Sequence, residues 1–312
     1  MAVATSPLLP SVSCVDQAFD NLPAEILLDI IPYIPYSPST LRNLCLTNRI
    51  LHSLIQAHEH SLVHEIKTTQ FPRGRLGLFP GLRIADFASL RVLHERLETL
   101  NEVHQHWLKI VNHGLELHWL KGRWETIHKA GLLLLYRLQD TDGYEEKVGL
   151  LQQLPATSLA CLLFKLISSI KILRVYGPEP INGRYAKDDV MLRSDVELAF
   201  EELLLLHGPK FFVVMLKAGK NENTEWAVRT LETEVAGMES RQLPLTSGEP
   251  KPSTLISSLR RALAARAECE VSQTVSKMWE ILSSTGFDDV DDWKMGTLVR
   301  GEQLERGMRR IF

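Results

Sequence analysis

In this 312-residue chain, the histidines have the spacing that comes nearest to that of a metal site. His60 and His64 stand four residues apart, a spacing that puts two imidazoles on one helix face and can bind zinc. Glu125 and His128 form one Glu-x-x-His pair, whereas di-iron bundles use two such pairs with two further glutamates. The sequence offers no third ligand and no second pair. We therefore predict no metal site and no cofactor, with His60 and His64 on a solvated helix face and His104 in the core.

Nucleophilic and phosphate-binding motifs are also missing from the sequence. It contains no Gly-x-Ser-x-Gly, and the glycine-rich run Arg73–Gly77 lacks both Gly-x-Gly-x-x-Gly and the lysine of a phosphate-binding loop. The cysteines are far apart and have no Cys-x-x-Cys spacing, which predicts free thiols in a reducing compartment. They are Cys14, Cys45, Cys161 and Cys269. The sequence therefore predicts that the protein is not an enzyme.

Charge is balanced, with 35 basic and 38 acidic residues and a formal net charge of −3. A nucleic-acid-binding protein usually shows a basic bias, so no nucleic-acid partner is expected. Trp107, Trp119 and Trp124 lie near Lys121 and Arg123, but their helical spacing is typical of core and rim positions rather than of a base-stacking surface.

No membrane partner is expected either. The longest uncharged run of the sequence, Val148–Phe164, contains two glutamines and Pro155, so it fails as a membrane span. The first basic residue is Arg42, which argues against a secretory signal or a mitochondrial presequence. The expected location is the cytoplasm, the nucleus or both.

The elements that must position any site are helices. Leucine accounts for 51 residues, and apolar residues recur at helical spacing through most of the chain. Strand-like alternation is weak, and its best candidate, Phe211–Met215, is short and isolated. The sequence therefore predicts an all-α protein, with a three-helix N-terminal module followed by an irregular multi-helix domain.

The predicted organisation has five parts. They are a disordered N-terminus (1–18), the N-terminal module (19–66), a linker (67–83), a helical domain (84–285) and a solvated tail (286–312). Within them we expect helices at 22–34, 39–46, 48–66, 86–112, from 123 onward, and at 144–153, 157–175, 188–207, 210–218, 223–235 and 253–283. Loops at 176–189 and 237–252 are possible partner contacts, since loops on a rigid scaffold often carry recognition.

The first predicted helix is too apolar for the size of its module. Leu22, Ile26, Ile30 and Ile34 form one stripe at a spacing of four, and the neighbouring leucines widen it. A helix this apolar must bury most of its surface. A module of fewer than 50 residues has little interior in which to bury it, so part of this surface is expected to face a partner or the rest of the chain.

The residues of this module resemble an F-box. Phe19–Ile31 is similar to its opening, with Leu-Pro, an acidic residue and spaced isoleucines, and Leu41–Ile55 is similar to its second half. Ten positions match the family pattern in order and spacing: Leu22, Pro23, Glu25, Ile26, Ile30, Leu41, Leu44, Leu46, Arg49 and Leu54. The main departure is Leu51, where many members have tryptophan, although fungal members resemble this version. The likeness covers about 45 residues.

This resemblance implies a function. F-boxes bind a Skp-type adaptor, which connects them to a cullin scaffold and a RING ubiquitin ligase, and the rest of the chain then presents a protein substrate. The adaptor-binding residues it implies are Leu22, Pro23, Ile26, Leu27, Ile30, Ile34, Leu41, Leu44, Leu46 and Leu51. Two alternatives stay open: an adaptor-bound protein with a structural or regulatory role outside any ligase, and an enzyme housed in the helical domain.

Overall fold

In the computed structural model, the described residues are 22–113, 115–182, 193–217, 222–242, 254–288 and 290–302. They form fifteen α-helices and no strand, which confirms the all-α prediction. The chain divides into two compact units, and the division falls after Pro72, around residues 73–83, and again within one long helix after His94. The residues expected to be disordered, 1–18, lie outside the described part of the chain.

The first unit contains the described residues up to Pro72 together with Ile84–His94. Its helices are α1 (Ala24–Ile30), α2 (Pro38–Thr47), α3 (Arg49–Ala57), α4 (Glu59–Gln70) and the beginning of α6 (Phe87–His113).

Two helix boundaries in this unit differ from those expected. The first helix ends at Ile30 and continues as a 3₁₀ turn over Ile31–Tyr33 rather than as an α-helix to Ile34. Pro32 explains this, because a proline has no amide hydrogen to continue the helical ladder. The expected single helix over 48–66 is interrupted at His58, whose backbone has φ −113° and ψ 20°. Ile55 and Leu62, on either side of this break, belong to the same core.

The second unit contains Arg73–Arg83 and the described residues from Glu95 onward. The segment expected to be a linker (67–83) is therefore occupied by the end of α4 and by a short helix of the second unit. The helices of this unit, besides the rest of α6, are α5 (Arg73–Leu76), α7 (Arg123–Gln139), α8 (Tyr144–Gln153), α9 (Ala156–Tyr176), α10 (Arg193–His207), α11 (Pro209–Leu216), α12 (Glu222–Gln242), α13 (Leu255–Arg266), α14 (Thr274–Ser284) and α15 (Asp292–Val299).

Helix α9 is the centre of the second unit. It packs against α7 most extensively, and also against α10, α11, α13, α14 and α15. Leu132–Leu135 of α7 are all buried, as expected for a run that is apolar on every face. Among the described helices, α9 is the one long and apolar enough to cross a membrane, but most of it is buried inside this unit, as in the core helix of a globular protein.

The C-terminal region differs from the expected solvated tail. Phe287, Met295, Leu298 and Val299 are buried, and α15 packs against α5 and α7. The spacing of Met295, Leu298 and Val299 is the signal for this packing, since positions i, i+3 and i+4 share one helix face. The expected single helix over 253–283 is also wrong, because α13 ends at Arg266 and α14 begins at Thr274 after a 3₁₀ turn.

Candidate functional site

Helix α1 presents an apolar face to solvent. Leu22, just before the helix, is 38% exposed, and Ile26 and Ile30 are each 44% exposed. Ile26 and Ile30 are four residues apart and share one helix face, and we call these two residues together with Leu22 the α1 stripe. The neighbouring side of α1 is anchored by Leu27, which is 7% exposed and belongs to the core. The helix thus divides its apolar side chains between its own core and the solvent.

The ten residues implied to bind the adaptor separate into three groups by burial. Exposed are Leu22, Pro23, Ile26, Ile30 and Leu46; half-buried are Ile34, Leu41 and Leu44; buried are Leu27 and Leu51. The two buried leucines form the core of the unit with Ile31, Ile55 and Leu62, and Leu41 and Leu44 pack against it.

Three further large apolar side chains of this unit are exposed and were missed by the sequence reasoning. Tyr33 lies in the 3₁₀ turn that follows α1, Ile50 lies in the first turn of α3, and Val92 lies in α6. Of these, Ile50 is within an F-box-like segment, but the family pattern gives weight to the spaced leucines rather than to its position.

A polar clamp fixes the chain that follows α1. The amide of Gln70 donates from Nε2 to the carbonyl oxygens of Pro32 and Ile34, at 2.7 and 2.8 Å, and its Oε1 accepts from the backbone N–H of Tyr36 at 2.8 Å. One side chain at the end of α4 therefore satisfies three backbone groups of the turn. Because the turn is held this way, the orientation of α1 on the unit is fixed.

The histidine pair on α4 does not act as a pair. Both side chains are exposed, and His60 donates from Nδ1 to the carbonyl oxygen of Ala85 at 3.0 Å. Among the described residues, no group of three or more His, Cys, Asp or Glu side chains could hold a metal ion.

The prediction that His104 is a core histidine is wrong. His104 is exposed, and its Nδ1 lies 2.8 Å from Oε1 of Glu125. The tryptophans follow the prediction more closely, since Trp107 is buried, while Trp119 and Trp124 are half-buried in an aromatic cluster with Trp279 and Phe164.

The second unit buries a polar network that the sequence reasoning missed. Nζ of Lys165 on α9 lies 2.8 Å from Nε2 of His128 on α7, and Nδ1 of His128 lies 3.0 Å from Oγ of Ser168. The Ser168 hydroxyl donates its one proton to the Lys165 carbonyl oxygen. Nδ1 of His128 must therefore donate to Ser168, which leaves Nε2 as the acceptor from Lys165.

Burial controls the protonation of this network. It lowers the pKa of Lys165 well below its ordinary value, and burial with the adjacent lysine does the same for His128. An uncharged amine is a nucleophile in principle. Lys165 is however 0% exposed and lies against the ring of Phe212, so no substrate reaches it in this conformation. The sequence signal was a lysine inside a helix that is apolar on all faces.

Comparison of the chain with known protein families, with curated proteins and with solved structures finds no match. The fold and the placement of side chains are therefore the basis for assigning a function.

Proposed function

We propose that this protein is a substrate-recruiting subunit of a cullin-RING ubiquitin ligase, in which the first unit acts as an F-box and binds a Skp-type adaptor. The observation that carries the proposal is the α1 stripe. It adds to the resemblance of Phe19–Ile31 and Leu41–Ile55 to the two halves of an F-box. The adaptor would receive α1 as an amphipathic helix in a groove, with the stripe as its apolar anchors.

The energetics favour a partner for this surface. Full burial of a leucine or isoleucine side chain stabilises by about 1.5–3 kcal/mol, so three half-exposed side chains leave several kcal/mol unrealised in the isolated chain. An adaptor that covers the stripe would recover part of this free energy, while Leu27 and Leu51 keep the helices folded beneath it. The buried leucines would support the surface rather than touch the partner.

In this proposal the second unit binds the protein substrate. The ligase reaction itself occurs on the partner enzymes, and this chain contributes proximity by raising the effective concentration of a target lysine near loaded ubiquitin. The corresponding location is the cytoplasm, the nucleus or both.

The test uses the full chain co-expressed with a Skp-type adaptor. The double variant Ile26→Asp, Ile30→Asp puts two charges into the stripe and should reduce adaptor co-purification at least a hundredfold, because each buried charge is strongly unfavourable. The matched control is Val271→Asp, Val275→Asp, which charges two exposed valines of the second unit and should leave co-purification unchanged. Undiminished capture by the stripe variant would overturn the proposal, as would equal loss in both variants.

Cullin separates the ligase role from the alternative role outside a ligase. If the wild-type chain and adaptor together co-purify a cullin, the ligase role is supported. If the adaptor binds through the stripe but cullin is absent from the complex, the chain is an adaptor-bound structural or regulatory protein instead.

A further inference from the structure

The second unit contains a cavity of about 370 Å³ between α6, α7, α5 and the beginning of α15. Its inner wall is apolar and buried, and is formed by Leu78, Val103, Trp107, Leu132 and Met295. The buried imidazole of His128 completes this wall, with its two nitrogens already engaged by Lys165 and Ser168. The inner wall therefore suits the apolar body of a ligand.

Charged side chains line the same cavity and are exposed or half-exposed, which places them at its solvent end. The acidic side chains among them are engaged: Oε1 of Glu125 lies 2.8 Å from Nδ1 of His104, and Asp292 forms an ion pair with Lys129 at 2.9 Å. Arg75 also lines the cavity and makes no ion pair with a described residue. Within the described part of the cavity, one cation is thus left to bind an anion.

We propose that this cavity binds a small amphiphilic monocarboxylate, with its apolar body against the inner wall and its carboxylate on the Arg75 guanidinium. The volume is in the range of small-molecule sites, which begins at about 300 Å³, and these are mostly apolar with a few placed polar groups. A guanidinium binds a carboxylate through parallel charge-assisted hydrogen bonds. A cationic ligand would instead be repelled by Arg75, whereas the charge of Lys129 is already paired with Asp292. The proposal is independent of adaptor binding.

The test compares three eight-carbon probes that differ in the charge of their head group: octanoate, 1-octanol and octylammonium. Each is titrated into the full-length protein by calorimetry below its micellar concentration. We expect octanoate to bind at least tenfold more tightly than 1-octanol, and octylammonium to bind weakest. Equal affinities for octanoate and 1-octanol would overturn the assignment of a carboxylate, and no octanoate binding at millimolar concentration would overturn the site.

Two arginine variants locate the head group. Arg75→Gln should weaken octanoate binding about tenfold, as expected for one lost charged hydrogen bond, and should leave 1-octanol binding unchanged. Arg73→Gln is the matched control, because Arg73 lies on the same short helix, is exposed and does not line the cavity. Octanoate binding that is equal in the two variants would place the carboxylate elsewhere and overturn the proposal.

A cavity-filling variant locates the apolar body. Leu100 lines the cavity and is half-buried, so Leu100→Trp can occupy part of the volume without entering the closed core. With circular dichroism and Tm as checks of folding, a folded variant should lose both octanoate and 1-octanol binding. Retained binding would show that the probes bind at another place. If the variant fails to fold, the pair of arginine variants still decides the question.

Discussion

The two units differ in how they place apolar and ionisable side chains. Among the described residues, each unit exposes seven large apolar side chains, although the first unit is much the smaller. The first unit leaves the α1 stripe in solvent, although its sequence is rich in leucine and isoleucine. The second unit encloses Lys165, His128 and Glu201, and all the buried polar or charged residues found in the described parts of the chain belong to it.

Size explains this difference. A small helical unit has a high ratio of surface to volume, so its interior is filled by a few side chains such as Leu27, Leu51 and Ile55, and the rest of its apolar residues stay outside. The larger unit has enough interior to surround even a lysine. Exposed apolar groups favour association, whereas buried ionisable groups make stability depend on pH. The comparison therefore predicts association through the exposed apolar surface of the first unit and pH-dependent stability in the second.

The largest expected effect tests how tightly the second unit is packed. A Cβ at Gly131 on α7 would lie 2.4 Å from Cβ of Lys165 and 2.6 Å from the carbonyl oxygen of Cys161. Gly131→Ala should therefore destabilise the second unit by about 3 kcal/mol or more, measured by urea unfolding. Gly149→Ala is the control, because Gly149 lies within α8 with open space around it and should gain about 1 kcal/mol. Similar values for both variants would contradict the tight contact between α7 and α9.

The next effect separates the core of the first unit from its surface. Leu27→Ala should destabilise that unit by about 2–4 kcal/mol, since it removes a buried side chain. Ile26→Ala, one residue earlier, should change its stability by less than about 0.5 kcal/mol. Hydrogen exchange of the α3 amides in the full chain measures both. A large loss in the Ile26 variant would mean that the α1 stripe contributes to folding rather than to binding.

Much of this architecture follows from helical periodicity. The expected helix over 144–153 coincides with α8, and the one over 157–175 differs from α9 by one residue at each end. Gly208 ends α10 as expected, and its φ of 72° explains the glycine. These signals are local, so they are contained in neighbouring residues of the sequence.

The errors arise where tertiary contacts decide. His104 occupies the register of an apolar stripe, yet it is exposed because its partner is Glu125 of another helix. Lys165 is buried where α7 supplies an imidazole acceptor and α11 supplies the aromatic face of Phe212. Helical periodicity predicts which side of a helix faces inward, but it does not predict which side chains the neighbouring helices place against that side. For the same reason it could not divide the ten residues that the resemblance implies as adaptor contacts into core and surface.

The third prediction concerns the cost of the buried lysine. The ordinary pKa of lysine is 10.5, and below this pH the side chain of Lys165 binds a proton in the unfolded chain that burial excludes in the folded chain. With respect to Lys165, the free energy of unfolding is therefore highest above pH 10.5 and decreases as the pH falls. Lys165→Met removes this loss of stability at lower pH. It also leaves Nε2 of His128 without its hydrogen-bond donor, which costs about 1–3 kcal/mol of stability. The variant should be less stable than wild type near pH 10 and more stable near pH 7.

Urea unfolding of the wild type and the variant at several pH values measures the pH at which their free energies of unfolding are equal. Lys210→Met is the control, because Lys210 is exposed and its replacement should give a difference that does not change with pH. A constant difference for Lys165→Met as well would mean that the folded chain keeps Lys165 protonated.

The fourth prediction concerns Glu201 on α10. Burial raises the pKa of its carboxyl to about 7, although Arg260 donates to it at 3.1 Å and opposes the shift, while Glu197 and Glu202 add to it. Between pH 4.5 and 7 the folded chain therefore binds the proton more tightly than the unfolded chain, so stability falls as the pH rises through this window and is level above it.

Glu201→Gln keeps the shape of the side chain without its charge. As the pH rises from 5 to 7, the free energy of unfolding of this variant should increase relative to that of the wild type by about 1–2 kcal/mol. Glu280→Gln, at an exposed position, is the control and should show no such gain. A gain equal to that of the control would indicate that Arg260 holds Glu201 ionised throughout.

The smallest expected effects come from removing one helix cap in each unit. Ser37 caps α2 by accepting from the backbone N–H of Thr40 at 3.0 Å, and Asp291 caps α15 by accepting from that of Lys294 at 2.8 Å. Ser37→Ala and Asp291→Ala should each cost about 1 kcal/mol, which raises the open fraction roughly fivefold. Hydrogen exchange should show the rise only in the unit that carries the change. If either variant accelerated exchange equally in both units, the two units would unfold as one cooperative body. The stability of the helix that carries the α1 stripe would then depend on the buried lysine of the second unit.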